Sequence, residues 1–206
     1  MQSQVQGRSA LAETLLPEGA ARLVSSILLV IAGSLAIAIA AKIKVPFFPV
    51  PITLQTLAIL AIAATYGSRL AVITVLVYLA QGAAGLPIFT NTPPAVAGPA
   101  YFMGPTGGFL LGFVVMAWIV GTAADRGWSR SFPKLFGAMF AAEAVMMVLG
   151  FAWLAWFAVL SSGASGLGIA GAFSAGVAPF LIGDLLKILL AAAAVPAVWR
   201  LFDRGA

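Results

Sequence analysis

The 206-residue chain has no cysteine and no histidine. Without cysteine there is no disulfide, no thiol nucleophile and no thiolate metal site. Without histidine it lacks the commonest metal ligand and the commonest general base. Charge is scarce too. Eleven basic and six acidic residues make up 8% of the chain, against 62% hydrophobic residues and a mean hydropathy of +1.09. So few polar residues cannot cover the surface of a water-soluble domain. The composition fits a protein whose solvent is largely lipid.

Chemistry-bearing motifs are absent as well. GPTGG at 104–108 lacks the spacing and the lysine of a P-loop. There is no nucleophile elbow, no dinucleotide turn with its acidic partner and no strong carboxylate pair for hydrolysis. The reading is not an enzyme: no catalytic residue, no metal and no cofactor is expected. The net charge of +5 does not point to nucleic acid, because the basic residues gather near the ends of apolar blocks. Any uphill transport would draw its energy from partner chains or from an ion.

Six apolar blocks follow a mixed N-terminal segment, at about 23–41, 53–66, 70–84, 106–124, 135–160 and 177–202. A crossing takes roughly 20 residues. The second and third blocks are short, the fifth and sixth long, and Pro196 is expected to bend the last turns of the sixth. With the N-terminus inside, eight basic residues fall on the cytoplasmic side: Arg8, Arg22, Arg69, Arg126, Arg130, Lys134, Arg200 and Arg204. The outer side carries only Lys42 and Lys44. This bias predicts an all-α, multi-pass protein of the cytoplasmic (inner) membrane with six transmembrane helices and both termini cytoplasmic. Residues 1–22 read as a cytoplasmic lead with a short surface helix, and 23–206 as one transmembrane domain.

The outer loops are apolar and proline-rich (KIKVPFFPVPI, LPIFTNTPPAVAGPAYFMGP), or glycine-rich at 161–174. They read as lids folded over a pocket. Within the sixth block stands GDLLK, residues 183–187. Asp184 and Lys187, three apart, share a helix face two to three turns from its outer end. A charge this deep is costly, so such residues pair, face the interior and mark a ligand or ion path. Two readings stand: an ion pair that locks helix packing, or the polar floor of a binding site. Glu143, placed nearer the cytoplasmic half, is open between packing partner, proton site and subunit contact. Aromatic and amide groups cluster in the outer half: Tyr101, Phe102, Phe47, Phe48, Trp153 and Trp156, with Asn91 and Gln55. Some anchor helices at headgroups, and some line a pocket. Small-residue stripes at Ala32, Ala36 and Ala40, and at Gly104, Gly108 and Gly112, permit close helix approach, internal or to a partner.

Four segments together resemble the biotin-specific substrate-binding subunit, or S component, of energy-coupling factor (ECF) transporters, the BioY family. They are VPFFPVPITLQT (45–56), QGAAGLPIF (81–89), GPTGGFLLGF (104–113) and GDLLK. The loop after GLPIF departs from the family's usual glycine-rich form, and Phe109 stands where tyrosine is common. The resemblance implies high-affinity capture of biotin near the outer side of a six-helix membrane protein. It also implies partners on other chains, a transmembrane coupling subunit and ABC-type ATPases, with Ala32, Ala36 and Ala40 as the docking stripe. Carried over by motif, Asp184 and Lys187 would contact ligand, with Asn91 as a third contact and Trp153 covering the ring; Tyr101 and Gln55 complete the expected site. The alternatives are an S component for another vitamin and a self-sufficient ion-coupled carrier using Glu143, Asp184 and Lys187.

Overall fold

The computed structural model describes residues 10–17, 19–46, 48–95 and 97–205. Arg8 and Phe47, named above, lie outside them. The described residues are all-α apart from one pair of two-residue strands. In order it forms α1 (Leu11–Leu15), α2 (Ala20–Lys42), β1 (Lys44–Val45), β2 (Ile52–Thr53), α3 (Gln55–Ala83), α4 (Gly107–Asp125), α5 (Phe132–Trp156), α6 (Gly168–Gly176) and α7 (Leu181–Gly205). Short 3-10 turns stand at Pro99–Met103 and Trp128–Arg130. Among the described residues five helices are long and apolar enough to cross a membrane: α2, α3, α4, α5 and the Leu181–Leu201 part of α7. This is a multi-pass membrane protein. Its outward face fits that solvent: Leu23, Val24, Ile27, Leu28, Ile31, Leu35 and Ile39 of α2 are all more than half or close to half exposed. An apolar strip of that length would drive aggregation in water.

The second and third apolar blocks form one element, α3, broken at Gly67, where φ is 78° and ψ 174°. The break reverses the chain. The Gln55 amide donates to Tyr78 Oη at 2.8 Å across 23 residues; on a straight helix these groups would stand roughly 35 Å apart, at about 1.5 Å per residue. The arms 55–66 and 68–83 are therefore antiparallel. Glycine is required at the turn for two reasons. The backbone is left-handed there, and a Cβ would collide with Asp125 Oδ1. Asp125, at the end of α4, accepts from Ser68 N at 3.1 Å and from the Ser68 hydroxyl, capping the second arm.

The short blocks thus pack as a hairpin against α4, which in turn packs tightly on α5. Gly108 and Gly112 make the second contact possible: a Cβ on Gly112 would stand 2.7 Å from Met146 Cγ, and one on Gly108 would meet Leu149 O at 2.7 Å and the Trp153 side chain closer still. The glycine stripe is internal packing. The alanine stripe divides, with Ala32 and Ala36 exposed and Ala40 buried. The N-terminal segment does more than rest on the surface. Ala10, Leu11 and Ala12 are buried, and Ala10 packs at the Gly67 turn.

The bundle has two distinct ends. One collects the Gly67–Asp125 turn, Trp128–Arg130 and the last turns of α7, where Trp199 Nε1 donates to Ser129 Oγ at 3.1 Å and the Arg130 guanidinium lies 3.9 Å over the Trp199 ring. Arg69, Arg126, Lys134 and Arg200 adjoin it in sequence. Lys42, Lys44 and the 84–106 loop form the other end. Two expectations need correction there. Part of the glycine-rich 161–174 loop is helical, as α6. α7 starts at Leu181, after a turn at 177–180, so Asp184 stands in its first turn rather than two to three turns in. Pro196 lies inside α7, and the helix runs on past it to Gly205.

Candidate functional site

Four separated stretches meet at the non-basic end around a cavity with about 40 Å³ of room for the centres of water molecules. The stretch 50–56 brings Val50, Pro51, Thr53, Gln55 and Thr56; the start of the 84–106 loop brings Phe89 and Thr90. The first turns of α4 bring Phe109, Leu110 and Phe113, and the first turns of α7 bring Asp184 and Lys187. Tyr78, Tyr101, Thr106, Met146, Met147 and Phe180 complete the wall.

Each element explains its contribution. β1 and β2 pair antiparallel, Lys44 with Thr53 and Val45 with Ile52, which folds the first outer loop back over the start of α3. Thr53 Oγ1 accepts from Gln55 N at 3.2 Å, holding that helix start in place. Gln55 and Thr56 are buried, their side chains turned inward. The Phe89 ring is fully buried. It stacks on Tyr101 at 4.6 Å between centroids and meets Phe102 and Tyr78 edge-on at 5.5 and 5.6 Å. It fits only because residue 82 has no side chain: a Cβ on Gly82 would run into the Phe89 ring.

The floor is charged. Lys187 Nζ donates to Asp184 Oδ1 at 2.8 Å and to Thr56 Oγ1 at 3.1 Å. Both charged residues are buried, at 4% and 7% exposure, depths at which a charge without a partner is very costly. Asp184 also stands in the first turn of α7. Glu143, in the middle of α5, is 5% exposed and neighbours Asp184 and Lys187. It stands at their level, not apart toward the cytoplasmic half as expected, because α7 starts late.

Several buried polar atoms have no hydrogen-bond partner among the described residues: Thr90 Oγ1, Tyr101 Oη, Asp184 Oδ2 and both oxygens of Glu143. The Tyr101 hydroxyl faces the Thr106 side chain and the Asn91 backbone without completing a bond to either, and burial raises its pKa above the usual phenol value. Such atoms are normally satisfied in native interiors. Thr90, Tyr101 and Asp184 all line the cavity, so three residues with an unpaired polar atom meet at one volume.

Above the cavity lies an outer pocket of about 260 Å³, bounded by Pro49, Asn91, Ala95, Ala100, Gly104 and Pro105. Tyr101 and Thr106 line both spaces and form the partition between them. Two lysines fix the loop beside it. Lys42 Nζ donates to the carbonyls of Phe89, at 2.6 Å, and Thr92. Lys44 Nζ donates to Thr90 O at 2.8 Å and Asn91 Oδ1 at 3.0 Å. Read from sequence only as the outer charges, they tie the end of α2 to the second lid.

The site residues expected from sequence divide accordingly. Asp184, Lys187, Gln55 and Tyr101 line the cavity. Asn91 lines the outer pocket and is held by Lys44. Trp153 stands behind the wall: its Nε1 donates to Gly104 O at 2.9 Å and its ring packs on Gly107 and Gly108, so it braces the GPTGG turn. Thr56, Tyr78, Thr90 and the apolar wall of Phe109, Phe113 and Phe180 were not anticipated. Thr56 had a signal in its place in the TLQT segment beside Gln55, and Phe109 and Phe113 had one in GPTGGFLLGF.

The BioY family model matches residues 8–204. The chain belongs to the BioY family. Among BioY relatives, the "Probable biotin transporter BioY" of Pyrococcus horikoshii is 33% identical over 149 residues, covering 72% of this chain and 80% of the relative. The "Biotin transporter BioY2" of Lactococcus lactis subsp. cremoris is 31% identical over 165 residues, 80% of this chain and 85% of the relative. The "Biotin transporter BioY" of Thermotoga maritima is 32% identical over 163 residues, 79% of each. The fold is that of a crystal structure of "the S-component for biotin from an ECF-type ABC transporter", with a TM-score of 0.71 over 89% of this chain and 95% of that one, at 20% identity. In this BioY protein all four segments that carried the resemblance supply wall to the same cavity.

Proposed function

We propose that this protein captures biotin at the outer face of the cytoplasmic membrane, as the substrate-specific subunit of an ECF-type transporter. Counting the two arms of α3 separately, the chain crosses six times, with the basic end and both termini inside. The outer loops then close over the cavity. The relatives' names supply the ligand. The observation that carries the reading is the set of unpaired polar atoms on Thr90, Tyr101 and Asp184, three residues that line one cavity with the Asp184–Lys187 pair.

The chemistry matches. Biotin offers an apolar ring and chain, two ureido N–H donors, one ureido carbonyl and a carboxylate. Asp184 Oδ2 accepts from a ureido N–H, and Lys187 donates a charge-assisted bond to the ureido carbonyl or to the tail. Phe109, Phe113 and Phe180 bury the ring. Asn91 stands at the mouth, where the tail emerges. Release inward needs work from outside this chain: a transmembrane coupling subunit, docked along the exposed Ala32 and Ala36 face of α2, and ABC-type ATPases.

Titration of the purified chain with biotin, by calorimetry or tryptophan fluorescence, tests this. The expectation is saturable one-to-one binding that other vitamins do not displace. Asp184→Asn and Lys187→Ala should each weaken it about 10- to 100-fold, the worth of one charged hydrogen bond of about 1.5–3 kcal/mol. Well-folded protein that binds no biotin would remove the assignment. Displacement by another vitamin would move it to a sister S component.

A further inference from the structure

We infer that Glu143 carries a proton it shares with Asp184, and that this carboxyl–carboxylate bridge from α5 is what aims Asp184 at the ligand. The ligand's identity rests on the biotin reading above; the bridge itself does not.

The placement starts from the crossing of α5 and α7. Glu143 is 95% buried, as 5% exposure leaves, and neither of its oxygens has a partner. Glu143 and Asp184 line the same side groove and are electrostatic neighbours. Asp184 spends Oδ1 on Lys187 and has nothing on Oδ2. The remaining neighbours offer no donor. A side groove of about 280 Å³ runs past Glu143 and Asp184, and its other walls are apolar: Phe140, Ala144, Met147, Val177, Leu181, Leu185 and Ile188. On α7 the charged groups in reach are Asp184 and Lys187. On α3 there is Thr56, which accepts from Lys187.

Two buried carboxyl groups thus neighbour each other with one ammonium close by. Were both ionised, one charge would stand uncompensated and repel the other. A single proton between Glu143 and Asp184 Oδ2 changes this. It converts three stranded oxygens into one hydrogen bond plus a neutral carbonyl, and the trio becomes neutral overall. Such protons belong to the pair rather than to one residue.

The arrangement has a directional consequence. Asp184 borders both the ligand cavity and the side groove. Lys187 holds one of its oxygens, and Glu143 reaches the other from the groove side. The lone pairs left over face the cavity. Glu143 is therefore a positioning residue: it acts on ligand through Asp184.

Infrared spectroscopy on the whole chain in lipid nanodiscs tests the bridge without ligand. At neutral pH a carbonyl band of a protonated carboxylic acid should appear, shift in deuterium oxide and vanish in Glu143→Gln. Ionised-carboxylate bands from Glu143 at neutral pH would overturn the bridge. So would a protonated band that sodium abolishes, which would assign an alkali cation instead. Biotin titration adds the second readout. Glu143→Leu should weaken binding about tenfold, and Glu143→Gln, which donates an N–H, should recover it. Toward alkaline pH the wild type should lose affinity at least several-fold more than Glu143→Gln, because only the wild type gains a second negative charge. Equal losses in both would assign the effect to Lys187, Tyr78 or Tyr101 and overturn the link from Glu143 to Asp184. A protonated band with no biotin binding in any variant would overturn the ligand and leave the bridge standing.

Discussion

A buried hydroxyl with nothing to bond is a liability that the fold would discard unless something else uses it. Thr90 and Tyr101 are such residues. An unsatisfied buried polar group costs about 1–3 kcal/mol, whereas a neutral hydrogen bond nets about 1 kcal/mol. These magnitudes give opposite signs for stability and function. Thr90→Val keeps the shape and removes the stranded atom. Tyr101→Phe does the same and retains the 4.6 Å stack on Phe89. Both variants should melt at or above the wild-type midpoint in detergent. Both should bind biotin more weakly, by about five- to tenfold for each lost bond. Lower melting with unchanged binding would mean that the hydroxyls serve the fold, and the ligand would then have to be satisfied elsewhere.

At the level of elements, the decisive feature is the reversal inside α3. Gly67 takes a backbone conformation that side chains resist, and Asp125 from α4 fills the space a Cβ would need. Gly67→Ala should therefore destabilise the protein by about 2 kcal/mol or more, from strain plus displacement of the Ser68 cap. A thermal scan in detergent would register it as a lower midpoint. The same turn marks the limit of what the sequence discloses. The six apolar blocks at 23–41 through 177–202 were legible because lipid demands long apolar runs. So was GDLLK, because charge inside such a run is conspicuous. The α7 start at Leu181 was not: 177–180 is as apolar as the helix after it, and hydropathy does not register a change of direction among apolar residues. Nor does the sequence show which faces meet. Gln55 finds Tyr78, Glu143 finds Asp184 and Lys44 finds Asn91 only after the helices are arranged in space. For the same reason Trp153, aromatic and near the outer end, read as a ring cover. The bond from its indole N–H to Gly104 O turns it into a brace.

For the whole molecule, the two ends carry different burdens, and which end faces out decides whether the site can capture anything from the medium. At one end Arg69, Arg126, Lys134 and Arg200 adjoin tightly packed turns; at the other, Lys42 and Lys44 spend their protons on loop carbonyls that close over the cavity. Positive residues concentrate on the cytoplasmic side, and in the orientation proposed above the cavity faces outward. The cavity itself is far smaller than the roughly 300–1,000 Å³ of a ligand pocket. Entry must therefore displace the Tyr101–Thr106 partition, and the loop that carries it has to be on the side where ligand arrives. The absence of cysteine makes the orientation directly measurable. Ser162 and Arg126 are both exposed and sit in loops at opposite ends. In intact cells, a membrane-impermeant maleimide should label Ser162→Cys and spare Arg126→Cys; after permeabilisation both should react. Labelling of Arg126→Cys alone in intact cells would invert the molecule and open its cavity to the cytoplasm. Capture from outside would then be impossible, whatever the affinity for biotin.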